Sequence, residues 1–200
     1  MTSLLRPSYA HLSPPLNRII VARHKGEPGC VMATIAEGRK PVSLKPETMD
    51  RLLAGGAIIL LGFVLTALAR GAAQWGQVPV MIWGHILTIL TALVLTPVML
   101  LRRRGDRLHR QLGYVWVTAM GLTAAMTFGI RTINPSGGLS WVHILAAWTL
   151  IQVPLIVWAA RTHNIARHRG SVRGMVFGAL LIAGIFTFPG GRLMGHWLFG

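Results

Sequence analysis

Long apolar runs alternate with short polar stretches along most of the chain. Five such runs cover residues 52–69, 79–101, 112–130, 139–160 and 173–190. Each approaches the ~20 residues that an α-helix needs to cross a ~30 Å hydrocarbon layer. The runs are too long and too evenly apolar for strands, and they lack the polar face of a helix in a soluble core. The pattern therefore predicts an all-α integral membrane protein with a five-helix transmembrane bundle.

The first part of the chain, residues 1–48, has a different pattern. It contains six prolines, scattered charges and no long apolar run, and basic residues interrupt any stretch that could serve as a secretory signal. We expect a mostly disordered cytoplasmic tail here. Part of the tail could instead be an upstream extension of the gene model, since Met32 and Met49 are plausible start codons besides Met1. The five-helix domain then covers residues 49–200.

Basic residues collect in alternate loops between the apolar runs. Residues 102–110 contain five arginines and residues 161–173 contain four, whereas 71–78 and 132–138 contain no lysine or arginine. The positive-inside rule then places the N-terminus and both arginine-rich loops in the cytoplasm and the C-terminus outside. This distribution favours a multi-pass membrane protein whose arginine-rich loops are cytoplasmic. The formal net charge of +15 would also suit nucleic acid, but these arginines flank apolar runs, so we expect the lipid bilayer as partner and no nucleic acid.

A short motif occurs twice, each time at the start of an apolar run. Trp-x-His-Ile-Leu spans residues 83–87 and again 141–145, so that His85 corresponds to His143. Each copy is followed by a His-Arg pair, which is His109-Arg110 after the first copy and His168-Arg169 after the second. The spacing predicts a duplicated helical hairpin, formed by helices 2–3 and 4–5. Two histidines would then lie near the outer surface and two near the inner surface.

Paired histidines at matched depth suit haem. Haem iron accepts two axial imidazoles from facing helices, whereas a bare metal ion usually needs three or four ligands, often with carboxylate or thiolate. We therefore expect haem b, with iron bound by His85 and His143 at one level and by His109 and His168 at the other. Arg110 could neutralise haem propionates through charge-assisted hydrogen bonds.

Arg169, beside His168, is expected to contact propionates in the same way. Gly174 and Gly178 form a small-xxx-small pair in the fifth helix, which favours close helix packing. Structural explanations stay open for all these residues. A histidine near a helix end commonly lies at the membrane interface, a duplication can preserve a packing motif, and arginine clusters also serve as topology signals.

Residues 51–195 resemble the bacterial membrane proteins catalogued as domain of unknown function 2306. The residues that carry the resemblance are Trp141-Val142-His143-Ile144-Leu145, His168-Arg169 and the closing segment Ala183-Gly184-Ile185-Phe186-Thr187-Phe188-Pro189-Gly190-Gly191-Arg192. It implies a multi-helix inner-membrane protein and specifies no activity. The architecture is also similar to that of the di-haem, ascorbate-linked transmembrane cytochromes b. In that family helices two and four share one haem and helices three and five share the other, which implies the same two histidine pairs.

Three functions follow from these observations. The first is a di-haem b electron carrier with redox partner proteins or quinone. The second is a haem- or metal-handling accessory protein that binds one cofactor, and the third is a small transporter or structural subunit without cofactor. No apolar run contains Asp or Glu, which weakens proton-coupled transport. The sequence contains no hydrolase or transferase motif, so an enzymatic role would be at most that of a membrane redox protein.

Overall fold

The computed structural model describes residues 45–130, 141–189 and 191–200. The predicted tail up to residue 44 and the predicted loop 132–138 lie outside the described residues. Every regular element within the described ranges is helical. The predicted all-α class is therefore confirmed for this part of the chain.

Six helices and one short 3₁₀ segment follow one another within the described residues. The long helices are α1 (Thr48–Arg70), α2 (Val80–Leu101), α3 (Arg107–Thr127) and α4 (Trp141–Arg161), and the 3₁₀ segment Ala72–Gln77 joins the first two. Helix α5 starts as an α-helix over Ile165–Met175, continues as a π-helix over Val176–Ile182 and ends with Ala183–Ile185. A short helix, α6 (Leu193–Phe199), follows.

Three helices among the described residues, α1, α2 and α4, are long and apolar enough to cross a membrane. They place the chain among membrane proteins. Helix α3 has a similar length, but its first turn carries Arg107 and Arg110. Helix α5 has an arginine-rich first part and a π-helical second part. That all five helices cross the membrane, as a duplicated hairpin would require, stays a prediction.

Helices α3 and α5 begin earlier than the apolar pattern predicted. Asp106 caps α3, because its carboxylate accepts a hydrogen bond from the His109 backbone N at 2.7 Å. Asn164 caps α5 in the same way through the Arg167 backbone N at 3.1 Å. The predicted starts at 112 and 173 were late because each helix opens with a polar, basic turn that an apolar run excludes. Helix α5 also ends at Ile185, before the predicted residue 190.

Neighbouring helices pack in chain order. Contacts join α1 to α2, α2 to α3, α3 to α4 and α4 to α5, and the π-helical part of α5 also contacts α1. Cross-contacts between α2 and α3 include Thr123 Oγ1 donating to Thr88 Oγ1 at 2.7 Å and Trp116 Nε1 donating to Thr96 Oγ1 at 2.9 Å. The residue number falls in α3 as it rises in α2, so the two helices are antiparallel.

The two ends of this assembly differ in composition. At one end lie the first turns of α1, α3 and α5, the last turns of α2 and α4, and the arginines that flank them. We call this the arginine end, and its arginines in the described residues are Arg51, Arg102, Arg103, Arg104, Arg107, Arg110, Arg161, Arg167, Arg169 and Arg173. At the other end Trp197 Nε1 of α6 donates to Gln74 Oε1 at 2.7 Å, which ties the end of the chain to the 3₁₀ segment.

Candidate cofactor cavity at the arginine end

A cavity of about 480 Å³ lies at the arginine end. Residues from α1 through α5 line it, and His109 of α3 and His168 of α5 are both among them. The volume falls within the range of about 300–1,000 Å³ that is typical of small-molecule and cofactor sites. The fold therefore brings the two histidines of the predicted inner pair to one cavity, although they lie far apart in sequence.

The ring of His168 is held by α4. Its Nδ1 lies 3.1 Å from the carbonyl oxygen of Ile156. A carbonyl can only accept, so this hydrogen bond requires Nδ1 to carry the proton and leaves the lone pair of a neutral ring on Nε2. Metal-binding histidines commonly use one ring nitrogen in this way, because the bond fixes the orientation of the ring.

The ring of His109 has a different environment. Its Nδ1 is buried and has no hydrogen-bond partner among the residues that the structure describes. Burial lowers the pKa of His109, and the nearby His168 lowers it further. His109 precedes the apolar part of α3, where the helix meets the arginine-rich loop. A neutral imidazole with a buried, unpartnered nitrogen is a group for which a bound ligand would supply the missing partner.

The two arginines of the predicted site have different surroundings. Arg110 is exposed and lines the cavity. Arg169 also lines it, but its guanidinium lies 2.7 Å from Glu47 Oε1 and 3.4 Å from Asp50 Oδ2. Its Nε is buried without a partner in the described part of the chain. Arg110 is thus the freer of the two to meet an anionic group.

Asp50 is the residue of this region that the sequence interpretation missed. Its side chain is 0% exposed, and its carboxylate contacts three arginines. Arg173 Nε donates at 2.8 Å, Arg169 lies at 3.4 Å, and Arg104 forms a further ion pair. These contacts tie α1 to the loop between α2 and α3 and to α5.

The sequence contains a signal for this carboxylate. Glu47 and Asp50 stand three residues apart before an apolar run, and the structure shows them as a reciprocal capping box at the start of α1. The Glu47 backbone N donates to Asp50 Oδ2 at 2.8 Å. The hydrogen bond from Arg173 to Glu47, at 2.7 Å, is the main cause that lowers the pKa of Glu47.

The histidines of the predicted outer pair both lie beside α3. His85 Nδ1 lies 3.2 Å from the Thr123 carbonyl oxygen, so it carries the proton, as in His168. His143 is buried, and its ring centroid lies 5.7 Å from that of Phe128. Each predicted pair thus contains one histidine that bonds to a carbonyl of the neighbouring helix. The shared cavity described above belongs to the inner pair.

His163 lines the same cavity as well, although the predicted repeat contains no counterpart for it. It adopts a positive φ of 55° in the turn between α4 and α5. The turn between α4 and α5 brings His163 to the cavity wall. The spacing of the motifs did not predict this position. Among the described residues no group of three or more His, Cys, Asp or Glu side chains could hold a metal ion.

Comparison with protein-family models, with curated proteins and with solved structures found no match for this chain. The resemblances drawn from the motifs therefore stay predictions, and function has to be inferred from the cavity.

Proposed function

We propose that this chain is a b-type haem protein of the membrane that carries electrons. In this proposal His109 and His168 would hold an inner haem, and His85 and His143 would hold a second, outer haem. The observation that carries the proposal is the common cavity of His109 and His168. Two imidazoles from non-neighbouring helices that line one cavity would supply the paired nitrogen ligands that a b-type haem takes from its protein.

The residues around the cavity fit a haem in two respects. The His168 ring is oriented by the Ile156 carbonyl, so its Nε2 would be the ligand atom. The buried His109 Nδ1 has no partner in the described residues, which leaves this nitrogen available to a ligand. Gly113 lies one turn after His109 on the cavity wall, where the end of the flexible Met99 side chain is the neighbour that a Cβ would meet, at 3.5 Å.

In this site the haem would supply the one-electron redox change. The protein would hold the iron through the two imidazoles and exclude water through the apolar parts of α3, α4 and α5. Arg110 would offset the negative charge of a propionate. Arg169 would do so only in part, because Glu47 and Asp50 already neutralise its guanidinium.

The proposal also includes a membrane, an orientation in it and a protein family. We place the protein in a bacterial inner membrane with the arginine end in the cytoplasm, supported by the basic residues that gather at that end. Redox proteins or quinone would exchange electrons with the haems. The Trp-x-His-Ile-Leu motifs support membership in domain of unknown function 2306, and the pairing of histidines supports an architecture similar to that of the di-haem cytochromes b.

A second candidate function is a haem-handling accessory protein that binds one cofactor. One observation favours it, because the described cavity joins the inner histidines and leaves the outer pair to separate contacts with α3. The two candidates differ in the number of haems per chain, which can be measured.

The test is an absorbance spectrum of the detergent-purified protein, oxidised and dithionite-reduced, with a pyridine haemochrome count. We expect a reduced-state α-band and about two haems per chain, as two axially ligated irons would produce. His168→Ala and His143→Ala should each remove one of them. The matched control is His163→Ala, which removes a histidine from the same cavity wall and should leave both haems bound.

Other outcomes select among the alternatives. One haem that depends on His109 and His168, but not on His85 or His143, would favour the accessory protein over the electron carrier. A colourless protein from cells supplied with ample haem would exclude both haem functions, and would leave a transporter or structural subunit whose histidines serve packing.

A further inference from the structure

Two arginines at the arginine end are held by aromatic side chains rather than by carboxylates. Arg161, in the last turn of α4, lies with Nη2 3.4 Å from the Tyr114 hydroxyl. The Arg167 guanidinium carbon lies 5.1 Å from the centre of the Trp158 ring, within the range of a cation–π contact. In the described part of the chain neither guanidinium contacts a carboxylate, in contrast to Arg102, Arg104, Arg169 and Arg173.

The two contacts are neighbours, because Trp158 lies three residues before Arg161 on α4, and Tyr114 and Arg161 also line the cavity at the arginine end. Tyr114 and Trp158 are each 51% exposed, and both arginines are exposed as well. Tyrosine and tryptophan prefer the boundary between hydrocarbon and headgroups. We call Tyr114, Trp158, Arg161 and Arg167 the interfacial cluster. It presents two positive charges at the arginine end of α4, where a helix that crosses a membrane would meet the lipid headgroups.

An apolar stripe leads along α4 to this cluster. Ile144, Ile151 and Trp158 follow at intervals of seven residues, which places them on one face of the helix. Their exposed fractions are 70%, 62% and 51%. Arg161, three residues after Trp158, ends the stripe on that same face. Because α4 is apolar and long enough to cross a membrane, the stripe offers a track for an acyl chain that ends at a pair of cations.

We infer that the interfacial cluster is a binding site for an anionic phospholipid, whose phosphodiester would lie between Arg161 and Arg167 and whose acyl chain would follow the stripe of α4. Clusters of basic residues beside membrane helices attract anionic headgroups through charge. The contacts with Tyr114 and Trp158 also fix the positions of the two guanidinium groups before a lipid binds. Tyr114 and Arg161 also line the cavity at the arginine end, but the site uses none of the four paired histidines. Its test reads lipid binding and not haem content, so its failure and that of the haem proposal are distinguishable.

The experiment uses the full chain in detergent micelles and titrates it with phosphatidylglycerol brominated in its acyl chains, with tryptophan fluorescence as the readout. Brominated phosphatidylcholine and inorganic phosphate are titrated in parallel. We expect phosphatidylglycerol to quench at lower concentration than phosphatidylcholine, and Trp158→Phe to remove most of that difference. Arg161→Gln combined with Arg167→Gln should weaken the apparent affinity for phosphatidylglycerol on the order of tenfold.

The control variant combines Arg51→Gln with Arg103→Gln, which removes the same charge from the same end and should keep the affinity. Equal weakening in both double variants would overturn the site, because the attraction would then be a diffuse effect of net charge. Unchanged affinity in the Arg161 and Arg167 variant would overturn it too. Thermal unfolding is the second readout, since inorganic phosphate does not quench fluorescence as a brominated lipid does. If inorganic phosphate raises the melting temperature as much as phosphatidylglycerol does, the site binds free anions and the proposal is overturned. The wild-type quenching test does not depend on whether the arginine variants fold.

Discussion

At the scale of single residues, Asp50 joins α1 to two other parts of the arginine end. It is a fully buried carboxylate in contact with three arginines, and those arginines come from a loop and from a helix distant in sequence. Removal of one partner from a buried ion pair leaves the other charges uncompensated, which costs far more than the loss of an exposed pair. Glu47 contacts two of these arginines with a side chain that is 47% exposed.

These two carboxylates therefore form a matched comparison. We expect Asp50→Asn to lower the free energy of unfolding by about 3–5 kcal/mol, the range for one broken buried pair. Glu47→Gln removes the same charge from the same network and should cost far less, because solvent screens an exposed ion pair. Unfolding by denaturing detergent in mixed micelles measures both. If both variants lose the same free energy of unfolding, burial is not the reason that Asp50 stabilises the protein.

Glu47 also gives the arginine end a dependence on pH. Its pKa lies below the ordinary value of 4.5, mainly through the hydrogen bond from Arg173. A carboxyl whose pKa is lowered by folding contributes stability above its unfolded-state pKa, and this contribution is lost as the pH falls through the lower, folded-state value. We expect the melting temperature of the wild type to fall with acidity below about pH 4.5 more steeply than that of Glu47→Gln. Parallel pH profiles would contradict this assignment.

At the scale of elements, two glycines differ in how closely other parts of the chain approach them. A Cβ on Gly195 of α6 would lie 1.7 Å from the carbonyl oxygen of Phe188, which belongs to the backbone and cannot turn aside. Gly174 of α5, which the sequence pairs with Gly178 as a packing motif, has no neighbour within 4 Å of such an atom. Gly178 has ordinary contact with Trp148 at 3.6 Å.

The consequences for substitution differ in sign. Gly195→Ala should destabilise the protein by about 1–3 kcal/mol, because α6 must move away from the segment before it. Gly174→Ala should be neutral or stabilise by up to about 1 kcal/mol, since alanine restricts the unfolded chain and strengthens the helix. Thermal unfolding followed by circular dichroism compares the two. A destabilising Gly174→Ala would show that this glycine packs against a partner after all.

At the scale of the whole molecule, the antiparallel packing bears on the number of membrane crossings. Three helices qualify as crossing by length and composition. Helix α3 lies antiparallel to α2 and also contacts α4, through Arg161 with Tyr114 at one end and His143 with Phe128 at the other. A helix of 21 residues that lies between two crossing helices along its whole length is expected to cross with them.

Cysteine labelling tests this expectation. In a chain whose single cysteine is replaced by Cys30→Ser, we expect Arg103→Cys and Thr162→Cys to react with an impermeant maleimide from the same side. Gly76→Cys should react from the opposite side and serves as the control. Labelling of Arg103→Cys and Thr162→Cys from opposite sides would mean that only one of α3 and α4 crosses.

The sequence by itself determined the class and the helices of the apolar core. Continuous apolar runs can satisfy backbone hydrogen bonds in lipid only as helices, so α1, α2 and α4 lie within a few residues of their predicted ranges. The spacing of the motifs predicted that His109 and His168 lie at one level, and both line one cavity in the structure; the duplication itself stays a prediction. The polar first turns of α3 and α5 escaped prediction, since their caps depend on single side chains.

Tertiary structure alone decided how the charges and cavities are arranged. Asp50 is buried because three arginines from other parts of the chain converge on it, and no local pattern encodes that convergence. For the same reason Arg169, expected beside a propionate, shares its guanidinium with Glu47 and Asp50. The exposed stripe of α4 is visible in the sequence as a spacing of seven. Because α4 is apolar on all sides, its sequence does not show which face is exposed. The packing of the neighbouring helices decides this.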